Sequence, residues 1–368
     1  MIFTATSGSF LIQGGIGAIG TDTLESLDLD FEQGLDVTLN LVEADVNDTD
    51  GTIHLNTSLA GLAGLGIDHI TGDAYQGVEI TNGLGDIGTE TLESLDLDFA
   101  QGLDVTLNLV EADVNDTDGT IHLNTSLAGL AGLGIDHITG DAYQGVFIAG
   151  GIGNFDNQSV NLATLAGAGF DFASNLDTTI ALNVADLAGY SGGLTGWSAA
   201  TADLANVGID TISVGTADVS LDDISALISS GLDFAANDNI SFIDASVVDG
   251  TLMASHDITL DELANLGIDT VDANNLDTTN EIHIVAGGGV HDGMDNSAFE
   301  TALQAILDKF EGAKDIFAAN DTVQLEVGNN DFALADLSHN LQEGIQLLGI
   351  DFFTDGGEEI LQKPTVIV

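Results

Sequence analysis

The sequence predicts an α/β fold, an elongated repeat solenoid in which short helices are each followed by β-strands, arranged as five paired units. Three observations carry that expectation. The stretch Gly20–Ile80 returns as Gly88–Ile148 with a period of 68 residues, and only three positions differ: Asp22 becomes Glu90, Glu32 becomes Ala100 and Glu79 becomes Phe147. Such copying is tolerated when each unit packs mainly on its neighbours, because another unit then extends the core without redrawing it. Beyond the copies, two short patterns keep alternating to the end of the chain. Within each pattern, leucines three to four residues apart lead into glycine and then into alternating β-branched residues, the marks of a helix, its left-handed cap and a strand. The alternative architecture is a fibre of tandem β-rich domains.

In chain order, residues 1–22 form an N-terminal strand and junction. Phe10-Leu11-Ile12 reads as a strand and is followed by a glycine loop from Gly14 to Gly20, a junction that returns at Val78–Gly88 and, loosely, at Val146–Asp156. Repeat pairs then occupy 23–90, 91–158, 159–217, 218–298 and 299–368, the last including a C-terminal strand. The first pattern of each pair runs through an Asp-Phe step, a turn and a strand, as in LESLDLDFAQGLDVTLNL (92–109), with landmarks Phe31, Phe99, Phe172, Phe234 and Phe317. The second is a glycine-closed helix followed by Ile-Asp and a strand, as in LAGLAGLGIDHI (127–138), with landmarks Asp68, Asp136, Asp210, Asp269 and Asp351. The spacings of the two landmark series drift together, which binds the patterns into pairs. Helices of about eight residues have negligible stability alone, so their apolar stripes must stack on neighbours. No polar capping repeat is visible at either end.

Composition narrows the function. The chain has 60 acidic residues, three lysines (Lys309, Lys314, Lys363), no arginine and a formal net charge of -57. Nucleic acid and anionic membranes need clustered cations on a protein, so neither is expected as a partner. A hydrophobic content of 44% and a mean hydropathy of +0.26, in patterned form, point to a folded chain rather than an acidic tail. Aspartate, glycine and asparagine together suit tight turns and oxygen-ligated cations, of which calcium is the expected one; salt would screen the same charge. Cysteine is absent, which excludes disulfides and thiolate metal sites. The start shows no secretory signal peptide, and no apolar run approaches the ~18 residues of a membrane span.

The alternation of segments such as ISALISSGLDFAAND (224–238) and LDELANLGIDTV (260–271) resembles the repeats of very large acidic proteins of alphaproteobacteria, which are similar to type I secreted RTX-type adhesins and surface-layer or matrix proteins. The resemblance implies export through a C-terminal signal, an extracellular or cell-surface location and calcium binding. The tandem nonapeptide GGxGxDxUx of RTX arrays is not present.

Candidate sites follow from the turns. Asp45, Asn47, Asp48 and Asp50, copied as Asp113, Asn115, Asp116 and Asp118, alternate oxygen-bearing side chains before a glycine; they read as calcium ligands or as an Asx-rich turn. Twelve residues in, Asn56 stands where an EF-hand needs a bidentate glutamate. Asp292 and Asp295, in the glycine-rich 287–295 stretch, form a second calcium candidate beside a loop reading. Asn175, Asp177, Asn237, Asp238, Asn274, Asp277, Asn320 and Asp321 are turn formers or a cation-bridging ladder. Gly15, Gly17 and Gly20, repeated at Gly83, Gly85 and Gly88, fit the dinucleotide pattern GxGxxG, but recur with the repeat and open no long helix, so they read as a junction turn. His54, His69, His122 and His137 are repeat copies and suggest no catalytic centre; no HExxH or GxSxG is present, and no enzyme activity is expected. Trp197 reads as a packing anchor. The expected function is a structural subunit of an extracellular filament, surface layer or biofilm matrix. Copies of the chain would assemble head-to-tail through strands at Ile2–Ala5 or Phe10–Ile12 and at Thr365–Val368, with calcium as stabiliser. The alternative is a monomeric, calcium-dependent adhesin segment of a larger type I secreted protein.

Overall fold

In the computed structural model the described residues are 2–6, 9–13, 15–16, 31, 35–46, 51–72, 77–87, 91–115, 119–140, 145–153, 162–182, 197–219, 221–235, 238–243, 259–272, 281–291, 293–310, 316–317, 322–327, 337–350, 352–355 and 358–362. The fold is mixed α/β, with several parallel sheets and short helices, and none of its sheets closes into a barrel. The chain divides into two compact units, Met1–Asp186 with Ala202–Ile212, and Leu187–Thr201 with Ser213–Val368.

The strands of the first unit are β1 (Ile2–Thr6), β2 (Ser9–Gln13), β3 (Asp36–Asn40), β4 (Ile53–Leu55), β5 (His69–Thr71), β6 (Gly77–Ile80) and β7 (Asp98–Phe99). They continue as β8 (Asp104–Asn108), β9 (Ile121–Leu123), β10 (His137–Thr139), β11 (Gly145–Ile148), β12 (Asp171–Phe172), β13 (Asp177–Ala181) and β14 (Thr211–Ser213). They form sheets of order β1-β2-β3-β5-β7, β4-β6-β8-β10-β12 and β9-β11-β13-β14. From β3 onward successive strands alternate between two growing sheets, and the near-identical copies therefore interleave. Strand β8 of the second copy lies parallel between β6 of the first and β10 of the second, with Val78 opposite Val105 and Leu107 opposite Ile138. The period of 68 residues carries one sheet onto the next: Thr38 opposite His69 becomes Thr106 opposite His137.

Strands β3, β4 and β8 each bury one face. Val37 and Leu39, Ile53 and Leu55, Val105 and Leu107 are essentially inaccessible, while the threonines, histidines and asparagine between them stay partly exposed. Parallel sheets are usually covered on both faces; here the strict two-residue alternation leaves one face wet. The other face is closed by short helices, α1 (Leu59–Gly64), α2 (Leu127–Gly132), α3 (Leu162–Ala168) and α4 (Trp197–Asn206). Ser58 Oγ accepts the Gly61 N–H at 3.0 Å, and Ser126 does the same for Gly129, which satisfies one orphan donor at each helix start. Leu59 and Leu62, like Leu127 and Leu130, are fully buried and hold six-residue helices that could not persist alone.

The second unit contains β15 (Thr216–Val219), α5 (Leu221–Ser230), β16 (Asp233–Phe234), β17 (Asn239–Ile243), α6 (Leu260–Asn265) and β18 (Thr270–Asp272). It continues with β19 (Glu281–Val285), α7 (Asn296–Lys309), β20 (Thr322–Glu326), α8 (His339–Leu347), β21 (Phe352–Asp355) and β22 (Glu358–Gln362). β15, β17 and β18 pair in parallel, as do β19, β20 and β21, and β22 closes the latter sheet antiparallel. Thr259 and Glu262 form a reciprocal capping box at α6.

The joint drift of the two landmark series has a cause in the backbone. Each landmark phenylalanine donates its N–H to the carbonyl that closes the following helix: Phe31 to Leu65, Phe99 to Leu133 at 2.7 Å, Phe172 to Val207 at 2.9 Å, Phe234 to Leu266 and Phe317 to Leu348. A loop can lengthen between pairs, but a phenylalanine and its helix end move as one.

The chain ends differ from expectation. Strand Phe10–Ile12 is not a free edge: it lies inside β2, paired antiparallel with β1 and parallel with β3. Ile2–Ala5 is paired on its inner side as part of β1, and Thr365–Val368 lies outside the described residues. The leucine-spaced start of the first pattern, Leu92–Leu95, is a single 3-10 turn ending in the left-handed Asp96.

Candidate functional site

The polar groups that the repeats bring together fall into three arrangements, most of them in the first unit. The first explains the landmark aspartates. Asp136 donates its N–H to the Val105 carbonyl at 2.9 Å, and its carboxylate accepts the Val105 N–H at 3.0 Å, so one residue grips both polar groups of its cross-strand neighbour. Asp68 does the same to Val37 and Asp210 to Thr178. Burial raises the carboxyl of Asp136 above the ordinary carboxylate range, opposed by the Val105 bond and aided by the neighbouring charge of Asp104.

The second arrangement fills the glycine loops. Gly83 and Gly85 have φ of 66° and 72°, and the N–H groups of Leu84 and Gly85 converge on Asp113 Oδ1 at 2.9 and 3.2 Å, while Asp113 Oδ2 accepts the Val110 N–H at 2.8 Å. Successive N–H groups around a left-handed glycine form the concavity that elsewhere cradles phosphate. Here the anion is the chain's own carboxylate, and a Cβ on Gly83 would coincide with it. Asp45 Oδ2 likewise accepts the Val42 N–H at 2.9 Å and packs against Gly15, and Asp238 accepts the N–H groups of Val214 and Gly215 at 2.7 and 2.8 Å. Desolvation lifts the Asp113 carboxyl above its ordinary range despite three backbone donors.

Of the expected calcium ligands, Asp45, Asp113, Asn115 and Asp295 lie among the described residues. Asp45 and Asp113 are buried and turned to backbone N–H groups. Asn115 donates from Nδ2 to the His122 carbonyl at 3.1 Å and accepts the His122 N–H on Oδ1 at 2.8 Å, so its amide pairs with the outer edge of β9 as a strand would. Asp295 Oδ1 accepts the Ala298 N–H at 2.9 Å and caps α7. Asn47, Asp48, Asp50, Asp116, Asp118 and Asp292 lie outside the described residues, as do Asn237, Asn274, Asp277, Asn320 and Asp321. Asn175 donates to the Gly140 carbonyl, and Asp177 opens β13. Among the described residues no group of three or more histidine or acidic side chains is arranged to hold a metal ion. The shared reason is geometric: an aspartate in a turn meets whichever N–H the next strand delivers.

The third arrangement was invisible in the sequence. On the wet face of the first sheet His69 lies between Asp36 on β3 and Asp98 on β7, its Nε2 3.2 Å from Asp36 Oδ1 and its Nδ1 bonded to Asp98 Oδ1. In the next sheet His137 lies between Asp104 at 3.2 Å and Asp171 at 2.7 Å. The bond to Asp98 is the main influence raising His69 above its ordinary 6.5; the charges of Asp98, Asp36 and Asp68 add to it, and burial opposes. For His137 burial is the largest influence and lowers the value, but the bond to Asp171 and the charges of Asp171, Asp104 and Asp136 outweigh it and the net change is upward. The copies differ on the other face of this logic: His54 pairs with Glu79 at 3.3 Å, whereas His122 packs against Phe147 with centroids 5.0 Å apart. A histidine following Gly-Ile-Asp in both copies was the available signal, but its partners come from distant strands.

Two shallow depressions flank α2. One, of about 390 Å³, is lined by Asp68, His69, Asp98, Ala128 and Gly132; the other, of about 820 Å³, by Asp104, Asp136, His137, Ala131 and Leu165. No described helix is long and apolar enough to cross a membrane. No family model, curated protein or solved structure matches the chain.

Proposed function

We propose that this chain is a structural repeat protein, a solenoid-type subunit of an extracellular filament, surface layer or biofilm matrix. One observation carries the reading: the near-identical copies share a single sheet, with β8 between β6 and β10. Repetition then supplies length and surface, because each unit presents the next with the strand edge it received. The polar groups of the repeats support a non-catalytic role, since Asp68, Asp136 and Asp210 accept backbone N–H groups and the glycine loops donate theirs to Asp113 and Asp238.

Assembly proceeds head-to-tail by strand addition between copies, through β1 at one end and the segment reaching Thr365–Val368 at the other. Interior sheet edges are poor competitors: Asn115 occupies the edge of β9, and the Phe99 N–H on β7 is bonded to Leu133. Calcium is the proposed stabiliser, binding the acidic turns and lowering the repulsion of a chain of net charge -57. Negative-stain microscopy and light scattering, with calcium and then with chelator, test this. Filaments or sheets that dissolve on chelation are expected, shortened by deletion of residues 364–368. A monodisperse monomer under every condition would favour the second reading, a calcium-dependent adhesin segment using the acidic depressions beside α2.

A further inference from the structure

Residues 1–308 contain neither lysine nor arginine, so histidine is the one side chain there that can carry positive charge. Two of these histidines are placed where that charge has most to act on. His69 has Asp36 on the strand to one side, Asp98 on the strand to the other and Asp68 beside it in the chain; His137 has Asp104, Asp171 and Asp136 in the same places. Asp96 lines the depression at His69, and Asp98 also lines the one at His137. Helices α2 and α3, packed nearby, add no ionisable side chain.

We propose that Asp36–His69–Asp98 and Asp104–His137–Asp171 are proton-gated cross-links, each joining three parallel strands, which tighten the repeat stack as its surroundings acidify. A neutral imidazole donates from one nitrogen only, so it bridges one carboxylate and turns a lone pair on the other. The imidazolium donates from both and closes the row. Because the folded state favours the charged histidine, the contribution is complete below the unfolded value near 6.5 and is lost as pH rises through the higher folded value. The carboxyls of buried Asp113 and of partly buried Asp136 and Asp203, all raised by desolvation, act in the same direction at lower pH. The protein thus gains from mild acid.

The test is thermal unfolding of the full chain at low salt from about pH 8 to about pH 6, beside an H69Q/H137Q variant and an H122Q control. Glutamine keeps a hydrogen-bonding amide but cannot be charged. The wild type and the control are expected to gain roughly 2–5 °C on acidification, and the H69Q/H137Q chain to lose most of that gain. High salt should shrink the rise, since the rows are partly exposed. Histidine ring protons followed by NMR should show two groups titrating above 6.5 that vanish in H69Q/H137Q, a readout that stands even where a variant folds poorly. A wild-type midpoint that stays level or falls, or a double variant that keeps the whole rise, overturns the proposal.

Discussion

The Phe99 carbonyl oxygen lies 2.5 Å from where a Cβ on Gly134 would stand. Gly134 ends α2 with φ of 80°, and its neighbour Leu133 accepts the Phe99 N–H, so the helix end and the first-pattern strand touch backbone to backbone. Gly208 meets the Phe172 oxygen at the same 2.5 Å. Replacing Gly134 by alanine adds a left-handed strain of about 1–3 kcal/mol and forces the two segments apart. By contrast, Gly132 is exposed within α2 with nothing within 4 Å of its would-be Cβ, and its alanine variant should gain roughly 0.5–1 kcal/mol. Opposite signs in urea unfolding check the pair together.

Removing the Asp113 carboxylate leaves the N–H groups of Leu84, Gly85 and Val110 without that acceptor. The Asp113→Ala chain should lose about 2–3 kcal/mol, because one buried and two partly buried donors lose a charged acceptor at once. Asp113→Asn keeps an acceptor oxygen and should lose less. Equal losses in the two variants would show that shape, not the acceptor, matters at this position.

At Asp136 the expected ranking also separates charge from hydrogen bonding. Asp136→Ala should cost about 1–3 kcal/mol by freeing the Val105 N–H. Asp136→Asn retains an acceptor and removes a partly buried charge beside Asp104, and should cost much less than the alanine variant. Chemical unfolding of both variants at neutral pH measures the difference.

Asn115→Ala should cost about 1 kcal/mol or less in stability, since the side chain is exposed. Its larger effect is on association, because β9 loses the amide that pairs with the His122 backbone along its edge. Light scattering at rising protein concentration should show lateral aggregation that the parent chain lacks.

Much of this architecture was legible in the amino-acid order. Ser58 and Ser126 before leucine-rich hexamers, glycine after them and the two-residue alternation of Val37-Thr38-Leu39 mark helices, caps and strands by local physics alone. The landmarks Phe99 and Asp136 were legible as positions but not as contacts, because the bond of Phe99 to Leu133 and of Asp136 to Val105 joins residues far apart in the chain. The carboxylates were ambiguous for the same reason. An aspartate in a glycine-rich turn suits a cation or an N–H equally well, and Asp113 and Asn115 found N–H groups.

By itself the sequence determined the repeat, its period, the kinds of element in each unit and a charge that almost nothing in the chain can balance, since all of these depend on neighbours along the backbone. Only the tertiary structure decided which strands meet. Alternating side chains bury equally well against either neighbouring sheet, and it is the dealing of successive strands between two sheets that set His69 and His137 between carboxylates and sealed the glycine loops with Asp45 and Asp113.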